Sequence, residues 1–67
     1  MASSIEIGSR FEHGERLKRT WIVTELVTPP GDRIAHARMV AEADPHATKT
    51  VSVFALGDPR LFRRLAA

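Results

Sequence analysis

The chain has no cysteine, which excludes a disulfide staple, a thiolate zinc site and a cysteine nucleophile together. Tyrosine is also absent, and aromatic area is confined to Phe11, Trp21, Phe54 and Phe62. With so little else to fill an interior, all four are expected in the core rather than on a surface platform for stacking bases. No apolar run approaches the roughly 18 residues of a membrane span. The opening Met1-Ala2-Ser3-Ser4 lacks the basic start and apolar centre of a signal peptide, so the expected setting is the cytoplasm, without membrane contact. Length is scarce too. Its 67 residues make one small soluble domain, 1–67, which buries only roughly 60% of the surface its unfolded chain exposes. A core of this size seldom supplies more than roughly 3–5 kcal/mol.

Charge of one sign is equally thin. Ten Lys plus Arg against eight Asp plus Glu leave a net charge of +2, a mild bias rather than a nucleic-acid signature. Eight of the ten cations are Arg, whose planar fork suits phosphate and carboxylate better than the Lys ammonium does.

What the chain does have is a run from Lys18 to Thr28 that holds its one Trp and its densest set of β-branched residues. Such side chains fit a pleated, half-buried surface, and the run reads as the central strand. Trp21 and Val23 share a face by two-residue spacing, whereas Leu26 falls on the opposite parity. Two arrangements satisfy this pattern. Either a bulge near Thr24-Glu25 returns Leu26 to the core side, or the strand is buried on both faces over part of its length. Pro29-Pro30-Gly31-Asp32 ends the strand, because neither Pro can donate to a ladder.

The remaining elements arrange themselves around that strand. Residues 1–4 read as a loose terminus, and Ile5-Glu6-Ile7 alternates like a short strand. After the break at Gly8-Ser9, Arg10-Phe11-Glu12-His13 resumes extended structure with Phe11 turned inward. Gly14 marks a turn before a charged connector, Glu15 to Arg19, read as a solvated hairpin loop because a helix there would have no apolar stripe. Arg33 to Glu42 places Ala35, Ala37, Met39 and Ala41 on one side. Alanine also favours helix over 34–43, but the turns predicted on either side, the second at Asp44-Pro45-His46, give hairpin spacing. Lys49 to Leu56 is the next strand, ended by Gly57. Asp58 as N-cap and Pro59 at the first helical position then start a helix to about Ala66. A fifth strand from Arg60 to Leu65 is the other arrangement. The fold class is therefore mainly β: a small curled antiparallel sheet or SH3-like barrel of four to five strands with a short C-terminal helix.

The Gly-x-x-Phe opening at Gly8 to Phe11, the Trp-x-Val strand at Trp21 to Val23 and the terminal turn resemble small SH3-like or Tudor-like barrels in architecture. That resemblance implies a binder of peptides, RNA, DNA or other subunits, and no particular activity. The aromatic groove with which SH3 domains hold peptides is missing here, since the one Trp is assigned to the core.

Catalytic chemistry finds no foothold. His13, His36 and His46 form no short paired metal motif. Ser52, His36 and Asp58 can be written as a triad, but without a nucleophile-elbow sequence or the bulk to enclose a substrate. Phosphate-loop and dinucleotide fingerprints are absent. The expectation is a non-enzyme without cofactor or metal. Its first reading is a binding or regulatory domain acting through protein contacts or self-association, with Ile5, Glu6 and Ile7 as an exposed strand edge. Its second reading is a nucleic-acid binder using Arg16, Lys18, Arg19, Arg60, Arg63 and Arg64, the first group partly neutralised by Glu12 and Glu15.

Overall fold

A computed structural model of the chain describes residues 5–14 and 16–66. Residues 1–4, read as a loose terminus, and Glu15 of the connector lie outside these residues. Five strands, β1 (Arg10–His13), β2 (Arg19–Val27), β3 (His36–Ala41), β4 (Asp44–Ser52) and β5 (Arg63–Arg64), form one antiparallel sheet in the order β4-β3-β2-β1-β5. A single helical turn, α1 (Val53–Leu56), separates β4 from β5. The sheet curls but does not close: among the described residues no ladder joins β4 to β5. Of the two architectures expected, the curled sheet is the one formed.

Strand alternation builds the interior. Phe11 lies opposite Trp21, Trp21 opposite Ala41 and Val23 opposite Met39. Directly opposed residues share a face, so these side chains form one concave surface, and all of them are buried. Small Ala37 and Ala41 make room for the large rings, as close packing requires. Phe62 completes the interior from the turn before β5, edge-on to Phe11 with ring centroids 6.3 Å apart.

The register of β2 on β3 slips between Val23 and Glu25, which is the bulge expected near Thr24-Glu25. It restores Leu26 to the concave face, opposite Ala37. Leu26 nevertheless stays 38% exposed, because it lies near the end of the strand where nothing covers it. After β2 the Asp32 N–H donates to the Pro29 carbonyl at 3.0 Å. Gly31 supplies the positive φ of +79° that a type II turn needs after Pro30.

Four expectations require correction. Ile5-Glu6-Ile7 is not a strand: the Ser9 N–H donates to the Glu6 carbonyl at 3.0 Å, folding these residues into a turn that spends the backbone groups an edge would expose. Residues 53–56 leave the strand for α1, because the Ser52 hydroxyl accepts the Ala55 N–H at 3.2 Å and caps the turn. Phe54, on that turn, is 74% exposed and is no part of the core. The helix from Pro59 to Ala66 is replaced by one turn and β5. Asp58 does act as a cap, taking the Arg60 N–H at 2.9 Å. The chain then unwinds so that Phe62 can be buried and Arg63 and Arg64 can pair with Glu12 and Phe11. An isolated eight-residue helix is too short to compete with both.

The turn assigned to Asp44-Pro45-His46 also lies earlier, at Glu42-Ala43, with Ala41 facing Asp44. Pro45 sits inside β4, an edge strand where a missing N–H is tolerated. Because Ser52 closes α1 at its start, Ser52→Ala is expected to lower stability by about 1 kcal/mol, read as a shift in the urea midpoint at unchanged slope. An unchanged midpoint would show that the cap contributes nothing.

Candidate functional site

Two surfaces stand out. The first is the outer edge of β4. The Val53 N–H donates to the Ala35 carbonyl at 3.0 Å, continuing the register in which His36 faces Ser52. Bonded and non-bonded pairs alternate along an antiparallel ladder. Lys49 and Val51 therefore turn their backbone groups toward β3, and Thr48 and Thr50 turn theirs away from the sheet. Among the described residues, no strand lies on that side. Pro45 and the register shift after Val40 blunt one end of this edge, and α1 ends the other. What remains is a short, Thr-rich line of unsatisfied donors and acceptors.

The second surface is the mouth of the concave face. The same alternation that buries Trp21 and Val23 places Arg19 on the concave side, opposite His13. Lys49, opposite Met39, lays its ammonium 4.2 Å above the Trp21 ring and 5.9 Å from the Phe62 ring. Partial burial, and then the nearby Arg19 charge, hold the Lys49 pKa below its ordinary value. His13 stacks on Phe62 at 4.4 Å between ring centroids. Its Nδ1 donates to the Leu61 carbonyl at 2.7 Å, since a carbonyl can only accept.

The convex face is matched in charge. Arg10 pairs with Glu42 at 2.9 Å, Arg38 with Glu25 at 3.1 Å and Arg63 with Glu12 at 3.6 Å. These partners flank the half-buried Ile22 and Val40.

The six cations expected to track a phosphate backbone are not brought to one surface. Lys18, Arg60 and Arg63 line a cavity of about 250 Å³ together with Glu12 and His13. Arg60 is held there by Asp58, at 2.9 and 3.1 Å, and that contact keeps the Asp58 carboxyl below the usual carboxylate range. Arg63 and Arg64 are neighbours in a strand, so they point to opposite faces. Arg64 approaches the Phe11 ring at 5.8 Å on the concave side. Arg16 stays exposed in the loop.

Lys49 was legible only as the first residue of a strand. Its role becomes visible once the register is known. The β4 edge was foreshadowed by the same logic that pointed to Ile5-Glu6-Ile7, applied to the wrong strand. Among the described residues no three His, Asp or Glu side chains gather as metal ligands, and no helix is long and apolar enough to cross a membrane. Compared with known protein families, curated proteins and solved structures, the chain matches none.

Proposed function

We propose that this chain is a non-enzymatic binding domain that acts through protein contacts, with the outer edge of β4 as the contact line. One observation carries the reading: an unclosed sheet with the backbone of Thr48 and Thr50 directed outward and no strand beside it among the described residues. An extended segment of a partner, or β4 of a second copy, satisfies those groups by adding a strand. The nucleic-acid alternative has thinner support, because Arg60 and Arg63 already face carboxylates and the Arg63-Arg64 doublet is split between faces.

Thr50→Pro tests the reading. The N–H it removes is one that β3 does not use, so the fold is expected to survive, as edge prolines generally allow. Amide shifts are followed in two series, one raising the protein concentration and one adding an extended Thr/Val-rich peptide. Shifts confined to 46–52 and abolished by Thr50→Pro support strand addition. Shifts elsewhere, shifts untouched by the substitution, or none in either series contradict it.

A further inference from the structure

The unequal distribution of charge between the two faces carries a second conclusion that does not depend on the β4 edge. Four arginines meet carboxylates: Arg10, Arg38 and Arg63 on the convex face and Arg60 in the turn before β5. Arg19 and Lys49, on the concave side, have no such partner among the described residues. Covering the core explains part of this arrangement, because a lysine stem can lie along apolar surface while its head stays wet. It does not explain why a second cation stands close enough to depress the first. Two like charges beside a low-dielectric aromatic floor repel each other more strongly than they would in water, and an anion between them relieves both.

We infer that Arg19 and Lys49, above Trp21, form a binding site for a phosphate group. The chemistry of the pair fits that ligand. Arg19 offers a planar fork that matches two phosphate oxygens, and Lys49 offers a point charge with three donors. Trp21 beneath makes the site partly shielded from water, where charge-assisted hydrogen bonds are stronger. The phosphate can be a free one or part of a nucleic-acid backbone, and the two sources differ in a measurable way.

The lone indole is a built-in reporter, because the chain has one Trp and no Tyr. Inorganic phosphate is titrated at constant ionic strength set with chloride, following Trp21 emission and the side-chain resonances of Lys49 and Arg19. A saturable change is expected. Lys49→Gln and Arg19→Gln are each expected to weaken it about tenfold, the loss typical of one hydrogen bond to a charged group. Arg19→Gln leaves the contact with the ring intact, so it separates ligand binding from a direct change in Trp21 emission. Binding is also expected to raise the Lys49 pKa back toward its ordinary value, a response that a purely structural lysine would not give. A parallel titration with a short oligothymidylate identifies the source. Tighter binding than inorganic phosphate through the same two residues assigns the site to a nucleic-acid backbone, and equal or weaker binding assigns it to free phosphate. No saturable change with either probe, or changes that both variants leave intact, would overturn the assignment.

Discussion

Trp21→Ala is expected to leave the chain largely unfolded at room temperature. The indole is 6% exposed, lies opposite Phe11 and Ala41 in the ladders and carries Lys49 on its outer surface. Truncating a buried aromatic typically costs about 3–5 kcal/mol, part lost transfer energy and part residual cavity. Small domains of this length have only roughly that much in total, so a single substitution consumes all of it. Phe54→Ala is the matched control. That ring is exposed, and its removal is expected to change stability by no more than about 0.5 kcal/mol. Far-UV circular dichroism with urea titration distinguishes the two. A cooperative Trp21→Ala transition near the wild-type midpoint would mean that the interior is organised around something else.

Gly14→Ala is expected to be the second most damaging change. Gly14 has φ +140°, a backbone that L side chains rarely adopt. A Cβ built there would lie 2.2 Å from the Leu17 carbonyl oxygen, a backbone atom that cannot swing aside as a side chain can. The loop between β1 and β2 would have to open, at about 3 kcal/mol, the upper end for a strained backbone residue. Gly31→Ala provides the comparison. Its φ of +79° is also positive, but nothing lies within 4 Å of an added Cβ, and a loss of about 1–2 kcal/mol is expected from handedness alone. The difference in urea midpoint between the two variants measures the clash. Equal midpoints would show that the loop yields freely.

The strands that the sequence made legible are those whose period-two pattern extends over enough residues to outweigh local alternatives. β2 declares itself through Trp21, Val23 and the parity break that forces the bulge. β3 does so through Ala37, Met39 and Ala41, which alternation places on one face although alanine favours helix. Three residues, as at Ile5-Glu6-Ile7, are too few, and one Ser9 turn suffices to override them. Ser52 and Gly57 bracket a capped helical turn, a local signal outweighed in reading by the β-branched Val51 and Val53. Asp58-Pro59 is a true cap and first turn, but how far a helix continues depends on tertiary competition. Burial of Phe62 and pairing with β1 end it after one turn.

The candidate site was less legible, for a geometric reason. Clusters such as Arg16, Lys18 and Arg19, or Arg60, Arg63 and Arg64, are conspicuous in one dimension, yet alternation and intervening carboxylates disperse them in three. Lys49 and Arg19 are thirty residues apart and are joined only through the register of three strands. No spacing rule applied to the chain alone reveals that pair.

Residue-resolved amide hydrogen exchange along β4, in dilute protein, tests the open edge most directly. The backbone amides of Lys49 and Val51, bonded to β3, are expected to exchange slowly, and those of Thr48 and Thr50, directed outward, to exchange quickly. Slow exchange at all four positions would mean that another strand already covers the edge, and would contradict a free contact line there.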